Sequence, residues 1–348
     1  MAKERKLYLT VLNVLASFAV VYLHTNVGFW EYEPGLRWIA SALIACTFTF
    51  AVPVFFMMSG ATLMNYRKRY STRDFFKKRL VKTVIPFVLW SIFSVFFRLA
   101  LWGRGSITMP PDYAGLFNDL MFTRYMEVFW FFPHLYGAYL SIPIFSAVAE
   151  DKRRSVFGYA IIAAVVLNIT MPFLFAFSQG KWQLNTAYSV PAMGGYLVYV
   201  LIGYWLDNYP IEKKWRRVIY LLGVLGFAMH FFGTWYLMKT GKEANDLFDG
   251  YLKVPCLLYS SALFLFFKNR SYEKIPAFVK KCLTFFNAKT FGIYLTHQFV
   301  NQVIFTVFDW DFGGVPFRVF GGVTVFLFCA VMVHLVQKVP LLRHVVPQ

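Results

Sequence analysis

Apolar stretches recur along the whole chain, and most approach the length that a helix needs to cross a bilayer. A membrane-spanning helix requires about 20 predominantly apolar residues. The pattern predicts an all-α integral membrane protein with about ten transmembrane helices in one bundle. The predicted spans cover residues 8–28, 38–63, 83–102, 127–149, 156–177, 191–207, 218–238, 250–267, 291–308 and 317–336. Because no linker or low-complexity tract separates them, residues 1–348 are predicted to form a single transmembrane domain.

Short basic segments between these spans predict the orientation of the bundle. Cytoplasmic loops of membrane proteins carry an excess of Lys and Arg. If both ends of the chain are cytoplasmic, the inner segments hold 26 of the 35 lysines and arginines. This asymmetry predicts an N-in, C-in topology with an even number of spans. It also accounts for the net charge of +18 without nucleic acid as a partner.

The composition agrees with a membrane environment, and the absence of several motifs limits the classes of enzyme that the chain can belong to. The chain is 58% hydrophobic and 15% charged, with a mean hydropathy of +0.52, whereas soluble domains carry roughly 25% charged residues. The four cysteines show no CxxC spacing, and the sequence has no HExxH, GxSxG or glycine-rich phosphate motif. A soluble-type hydrolase or a metalloenzyme is therefore unsupported, and no bound metal is expected.

Ionisable residues inside predicted spans are functional candidates because they are costly in a bilayer. His24 lies about three-quarters of the way along the first span, where a neutral imidazole suits acyl transfer as a general base. Asn13 precedes it by eleven residues, almost three helical turns, so both side chains share one helix face ~16 Å apart. A buried, hydrogen-bonded histidine and a helix-packing asparagine are the alternative interpretations.

A run of eight basic residues within positions 67–82 leads into the third predicted span. Arg79 and Lys82 are three residues apart, which predicts a shared helix face at the inner mouth of the bundle. Such a pair suits phosphate groups, with Arg as a bidentate donor and Lys as a point charge. Topology signalling and contact with lipid headgroups are the alternative interpretations.

Two further groups of polar and aromatic residues lie within later spans. Glu127, Trp130 and His134 open the fourth span near the predicted outer surface, where they suit either an acceptor site or an aromatic belt. His297 follows Tyr294 near the middle of the ninth span. Taken singly, a histidine at such a position is typical of packing or hydrogen bonding.

Several loose motifs occur in a fixed order along nearly the whole chain. In chain order they are LNVLA (12–16), LH (23–24), VPVFFMMSGATL (52–63), FKKR (76–79), IPF (85–87), WS (90–91), WFF (130–132), YL (139–140), IPI (142–144) and TFGIYLTH (290–297). Together they resemble the acyltransferase 3 family of bacterial membrane acyltransferases, which O-acylate envelope polysaccharides, lipid-linked sugars and related molecules.

The resemblance implies a ten-helix transferase core that takes its acyl group from acyl-coenzyme A. It implies that His24 is catalytic and that Arg79 and Lys82 bind the phosphates of the donor. Asn13 is a departure, because the family often has Arg or Lys at this position.

The predicted function is transfer of an acyl group, with acetyl as the first candidate, to a hydroxyl of a cell-envelope glycan or a lipid-linked sugar. The donor is acyl-coenzyme A on the cytoplasmic side, and the expected location is the plasma membrane of a bacterium. The alternatives are a transporter or flippase of a lipid-linked glycan and a non-catalytic membrane partner. Acyl-coenzyme A, the acceptor and membrane lipids are the expected partners.

In this prediction His24 is the catalytic residue, and Arg79, Lys82 and Lys78 bind coenzyme A. The predicted substrate-binding residues are Asn13, Glu127, Trp130, His134, Tyr294 and His297.

Overall fold

A computed structural model describes residues 6–101, 115–178, 181–188, 194–241 and 246–347. These residues are mostly helical, and they contain no β-strand. The α-helices are α1 (Leu7–Thr25), α2 (Leu36–Phe48), α3 (Ala51–Leu63), α4 (Thr72–Arg79), α5 (Ile85–Leu101), α6 (Leu116–Met121), α7 (Phe131–Ser146), α8 (Glu150–Ala164), α9 (Met171–Ala176), α10 (Leu197–Asn208), α11 (Lys213–Lys239), α12 (Val254–Lys268), α13 (Ala277–Asn287), α14 (Thr290–Val307) and α15 (Val315–Lys338). Two π-helical segments, Leu80–Val84 and Val165–Thr170, join α4 to α5 and α8 to α9.

Seven continuous helical stretches in the described residues are long and apolar enough to cross a membrane. They are Leu7–Thr25, Leu36–Lys68, Thr72–Leu101, Glu127–Ser146, Glu150–Ala176, Lys213–Lys239 and Val315–Lys338. The other three predicted spans fall on α10, α12 and α14, and residues 102 and 191–193 of two predicted spans lie outside the described residues. An all-helical protein with several apolar spans is confirmed, whereas the total of ten and the N-in, C-in orientation stay predictions.

Helix α1 lies at the centre of the bundle. It packs against α2, α3, α12, α13, α14 and α15. Leu12, Ala16 and Ala19 have no exposed surface. Small and aliphatic side chains allow this close packing, which van der Waals contact favours where the surrounding lipid is equally apolar. The polar residues of α1 therefore face other helices.

Two glycines bring α3 and α10 into backbone contact. A Cβ atom on Gly60 would lie 1.8 Å from the main-chain oxygen of Val200, and one on Gly203 would lie 2.0 Å from that of Met57. Only glycine fits at such crossings, and small residues are the usual solution where transmembrane helices approach closely. The glycines fix the position of α3, which forms one wall of the cavity described below.

The predicted span 38–63 is divided into α2 and α3, which are separated at residues 49–50. The basic run that follows α3 forms α4, whose N-terminus is capped by Ser71. The Ser71 hydroxyl oxygen accepts the main-chain N–H of Asp74 at 3.1 Å and donates to the Asp74 carboxylate at 2.9 Å. Such a cap satisfies one of the free N–H groups of a helix start. The basic segment is therefore an ordered helix that continues into the third apolar stretch.

Candidate active site

Two histidines meet where the end of α1 packs against α14. His24 is half-buried, and His297 has no exposed surface. Nε2 of His297 lies 3.3 Å from Nδ1 of His24, and the two ring centroids are 5.0 Å apart. The sequence nominated each histidine separately, 273 residues apart, and the packing of α14 against α1 brings them together.

The neighbours of the two rings assign the proton on each nitrogen. Nδ1 of His297 lies 2.7 Å from the main-chain oxygen of Tyr294 and 3.2 Å from that of Ile293. A carbonyl oxygen only accepts, so this nitrogen carries the hydrogen, and Nε2 of the neutral ring is a hydrogen-bond acceptor. Nδ1 of His24 faces that acceptor and the oxygen of Val20 at 2.8 Å, so it also carries a hydrogen.

This assignment of the hydrogens determines the state of the remaining nitrogen of His24, Nε2. A neutral imidazole has one protonated and one unprotonated nitrogen. With the hydrogen held on Nδ1, the lone pair of His24 is on Nε2. This arrangement follows the usual logic of an oriented histidine, in which a partner on one nitrogen sets the basicity and direction of the other. His24 can therefore act as a base or a nucleophile through Nε2, with His297 as the residue that orients it.

A cavity of about 270 Å³ opens between α1, α3, α7, α14 and the segment that joins α4 to α5. It is lined by Asn13, Phe55, Met58, Ser59, Thr62, Leu63, Arg79, Thr83, Phe131, Leu135, Tyr139, Thr290, Phe291 and Tyr294. Three of the predicted site residues, from three separate parts of the sequence, thus share one cavity. It is a mostly apolar channel with a cation at one side.

Arg79 provides that cation. Its guanidinium carbon lies 5.4 Å from the ring centroid of Tyr139 and 5.8 Å from that of Phe75. Its Nε is buried without a hydrogen-bond partner among the described residues, which also offer it no carboxylate within 4.0 Å. A buried donor without a partner is costly. Arg79 is therefore suited to a ligand that brings an anionic oxygen acceptor.

The other two predicted coenzyme A ligands lie elsewhere. Lys82 is exposed in the π-helical segment and is not among the residues that line the cavity. A π-helix bonds i to i+5 and turns less per residue than an α-helix, so residues three apart do not share a face as they would in regular helix. Lys78 is exposed, with its Nζ 3.7 Å from the ring centroid of Tyr70. The structure brings only Arg79 to the cavity, and the predicted roles of the two lysines stay predictions.

Part of the basic run has structural partners. Arg67 donates to the Ser146 hydroxyl at 2.9 Å and to the Pro143 oxygen at 3.2 Å, and Lys68 pairs with Glu150 at 2.7 Å. These contacts tie the end of α3 to the junction of α7 and α8. They account for some of the positive charge by packing, which sequence counting alone does not separate from ligand binding.

Asn13 lies in the wall of the cavity and also joins helices. Its Nδ2 donates to Asn287 Oδ1 and to Thr290 Oγ1, both at 2.9 Å. The amide therefore ties α1 to the junction between α13 and α14. Both interpretations of Asn13 from the sequence, helix packing and a place in the site, have a counterpart in the structure. The Asn13 amide bonds to residues at the junction of α13 and α14, and the residue also borders the cavity.

Tyr294 lies between the cavity and the histidine pair. Its ring lines the cavity and is 5.8 Å from the ring of His297. Its hydroxyl donates to the Val128 oxygen, and its ring is 5.6 Å from that of Phe131. Tyr294 therefore connects the cavity that Arg79 lines with the histidine pair.

Glu127, Trp130 and His134 form part of a different group. Trp130 stacks on Tyr251 with a centroid distance of 5.6 Å, and the His134 ring meets the edge of Tyr196 at 4.9 Å. Glu127 is exposed at the start of a 3₁₀ turn. Within the described ranges, none of the three has a direct hydrogen bond or ring contact with His24. Their predicted role in acceptor binding stays a prediction.

Sequence reasoning missed Arg318, which is 5% exposed near the start of α15. It donates to Asn26 Oδ1 at 3.0 Å, to the Val27 oxygen at 2.7 Å and to the Gly313 oxygen at 2.8 Å. These bonds hold the segment that directly follows His24. An arginine inside a predicted span was a detectable signal, since such residues are rarely without a partner or a role.

The helices and this site define a class before any comparison. Within its described part the chain is a bundle of apolar helices that holds an oriented imidazole near a cavity lined by a half-buried arginine. These features are typical of a membrane enzyme that transfers a chemical group by acid–base or nucleophilic catalysis. The comparison with known families then identifies the chemical group that is transferred.

The model of the acyltransferase 3 family, described as an acyltransferase domain, matches residues 6–334, nearly the whole chain. The chain therefore belongs to this family, and the resemblance drawn from its motifs is confirmed. It is a multi-pass membrane acyltransferase. No curated protein and no solved structure matches the chain.

Proposed function

We propose that this acyltransferase moves an acetyl group from acetyl-coenzyme A on the cytoplasmic side to a hydroxyl of a cell-envelope glycan or a lipid-linked sugar, in the plasma membrane of a bacterium. The observation that carries the proposal is the assignment of the His24 lone pair to Nε2 by His297 and two main-chain oxygens. An imidazole oriented in this way suits an acyl transfer, in which a hydroxyl must lose its proton.

Arg79 supports the choice of donor. Coenzyme A carries phosphate groups on its nucleotide, and a guanidinium is a strong bidentate phosphate ligand. The cavity of about 270 Å³ is smaller than most sites that enclose a whole drug-sized ligand, which begin at roughly 300 Å³. The cavity therefore suits the pantetheine arm, with the nucleotide outside it near Arg79.

The Tyr294 ring lines the cavity and contacts the His297 ring, so in this proposal the thioester reaches the imidazole when the Tyr294 ring moves. Tyr294 is buried, so this movement requires the side chains packed around its ring to adjust. The hydrogen bond from Tyr294 to the Val128 oxygen holds the closed arrangement. Entry of the donor arm would break this bond and open the path.

The proposed step is a direct transfer. As the acceptor oxygen bonds to the thioester carbonyl carbon, its proton moves to Nε2 of His24. The carbon–sulfur bond then breaks, and the coenzyme A thiolate takes that proton from Nε2 and leaves as a thiol. His24 is thus restored at the end of each turnover.

A covalent variant uses the same nitrogen. Nε2 of His24 attacks the carbonyl carbon, coenzyme A leaves, and the acyl-imidazole is then attacked by the acceptor hydroxyl. This route predicts ping-pong kinetics and the direct route does not. The membership of an acyltransferase family favours either route over transport of a lipid-linked glycan.

The test uses purified protein in lipid vesicles and acetyl-coenzyme A. We expect Arg79→Ala to weaken binding of the donor roughly ten- to a hundred-fold, since it removes a charge-assisted hydrogen bond. We expect His24→Ala to bind the donor normally but to lose thioester turnover. Arg73→Ala is the matched control, because Arg73 is an exposed arginine of α4 outside the cavity.

Binding is measured by calorimetry and turnover by release of the free thiol. If the wild type fails to bind acetyl-coenzyme A at millimolar concentration, the donor assignment is wrong. If His24→Ala turns over as fast as the wild type, the role of the imidazole is wrong.

A further inference from the structure

Three amide side chains follow His297 along α14, the helix that packs against α1. They are Gln298, Asn301 and Gln302, and Asn301 is only 1% exposed. Asn301 Nδ2 donates to the main-chain oxygen of His24 at 3.3 Å and to Gln298 Oε1 at 3.4 Å. Asn301 therefore lies directly against the residue whose imidazole carries the proposed chemistry.

The side-chain oxygen of Asn301, unlike its nitrogen, has no hydrogen-bond partner among the described residues. Asn301 Oδ1 and Gln302 Oε1 are buried, and neither accepts a hydrogen bond from any group in the described part of the chain. The great majority of buried polar side-chain atoms in proteins have a partner, and each exception calls for an explanation. Two such oxygens on adjacent residues of α14, one of them on the residue that contacts the His24 main chain, indicate a site that accepts hydrogen bonds from a ligand.

The chemistry of these atoms limits what the ligand can be. An amide oxygen only accepts, and Nε2 of His24 also presents a lone pair. A phosphate or carboxylate would meet acceptors on both sides and would be repelled. A ligand with two adjacent O–H donors satisfies both, one hydroxyl on His24 and its neighbour on Asn301. Neighbouring hydroxyls on a saturated ring are the defining feature of a sugar.

We propose that Asn301, supported by Gln298 and Gln302, binds the hydroxyl next to the one that is acylated, so that the acceptor is a vicinal diol of a sugar ring. The inference rests on the proposed function, because it takes His24 as the base. It assigns acceptor recognition to the end of α14, a segment without any residue in the predicted acceptor site near Glu127. The sugar would be oriented by one amide before its hydroxyl meets the imidazole.

The test removes each partner of the proposed hydrogen bond in turn, first the Asn301 side chain and then the neighbouring sugar hydroxyl. Purified wild type and Asn301→Ala are placed in lipid vesicles with acetyl-coenzyme A and methyl glucoside, galactoside or mannoside. Release of coenzyme A and the position of the new ester are measured for each glycoside. The best of the three is then compared with its analogue that lacks the neighbouring hydroxyl.

We expect the wild type to lose about ten-fold or more in rate with the deoxy analogue, because the buried amide oxygen is left unpaired. Asn301→Ala should show a similar loss with the parent glycoside and no further loss with the analogue. Its affinity for acetyl-coenzyme A should match that of the wild type. Val303→Ala, an exposed residue of the same helix, is the control that should behave as the wild type.

Three outcomes would overturn the inference. The wild type could use the parent and deoxy sugars equally, Asn301→Ala could keep the discrimination, or none of the three glycosides could speed release of coenzyme A while the donor still binds. Loss of donor binding in Asn301→Ala would indicate a purely structural amide and would also overturn it. Absence of acetyl-coenzyme A binding in the wild type is a separate result, because it refutes the proposed function.

Discussion

At the scale of single residues, the function depends on which atoms of a few side chains lack a partner. Arg79 Nε, His24 Nε2 and Asn301 Oδ1 each offer hydrogen bonding that the described residues do not satisfy or do not use. Buried groups in this state lower stability. Arg79 lines the cavity that α1 and α14 also border, and Asn301 of α14 contacts His24 of α1, which distinguishes the site from ordinary helix packing.

His297 provides a prediction at this scale. Removal of its ring in His297→Ala leaves Nδ1 of His24 with the Val20 main-chain oxygen as its acceptor, but the imidazole loses the ring contact that fixes its position beside α14. We expect turnover to fall roughly a hundred-fold, a typical contribution of a positioned acid–base group. Affinity for acetyl-coenzyme A should not change. His297→Gln keeps an acceptor atom and should recover part of the rate.

The measurement is thiol release at saturating donor, with donor affinity determined separately. His334→Ala is the control, since His334 lies on α15 against Phe285 rather than against His24. Unchanged turnover in His297→Ala would show that the contact between the two rings has no role in the chemistry.

At the scale of elements, close helix crossings and irregular segments place the site residues. The α3–α10 crossing at Gly60 and Gly203 fixes the wall of the cavity. The π-helical segment Leu80–Val84 begins directly after Arg79, and it directs Arg79 to the cavity while Lys82 is exposed. Unusual helix geometry of this kind is frequent at functional sites.

The glycine crossing predicts a loss of stability. Gly203→Ala adds a methyl group 2.0 Å from the Met57 main-chain oxygen, where no side-chain rotation relieves the clash. We expect a destabilisation of about 1–3 kcal/mol, as for overpacking of a core. Thermal unfolding in detergent, followed by size-exclusion chromatography, measures the effect.

Gly137→Ala is the matched control, because a Cβ atom there meets no atom within 4 Å. Equal melting temperatures for Gly203→Ala and Gly137→Ala would refute the steric argument. A destabilised Gly203→Ala that still binds acetyl-coenzyme A would separate stability from the donor site.

At the scale of the whole molecule, the bundle divides a basic side from the histidine side. Helix α1 connects them, with Asn13 next to the cavity and His24 at its far end. The excess of Lys and Arg predicts that the start of α1 faces the cytoplasm. The proposed reaction depends on this orientation, because the donor and the acceptor arrive from opposite sides.

The orientation gives a prediction of its own. A reporter enzyme that is active only outside the cytoplasm, fused after Gln348, should be inactive. The same reporter inserted after Gly35, in the predicted first outer loop, should be active. Activity at both positions, or at Gln348 alone, would refute the N-in, C-in topology with an even number of spans.

The fold class and some of the site residues could be predicted from the sequence. The rest could not, for physical reasons. Apolar length is a local property, so helices α1, α5, α8, α11 and α15 were visible as spans. The prediction that Arg79 and Lys82 share a helix face is wrong, because it assumed a regular α-helix where the chain forms a π-helical segment. Asn301 was overlooked because an amide in an apolar helix gives no local signal of its missing partner.

The sequence by itself determined that the chain is helical, lies in a membrane and belongs to an acyltransferase family, since these follow from composition, periodicity and motif order. It also singled out His24, because an ionisable residue within an apolar span is exceptional, and Arg79, because a basic run leads into the third span. Only the tertiary structure decided that His297 orients His24, that Arg79 rather than Lys82 reaches the cavity, and that Asn301 contacts α1. Each of these depends on a contact between residues far apart in the chain, and such contacts are set by how helices pack and not by local pattern.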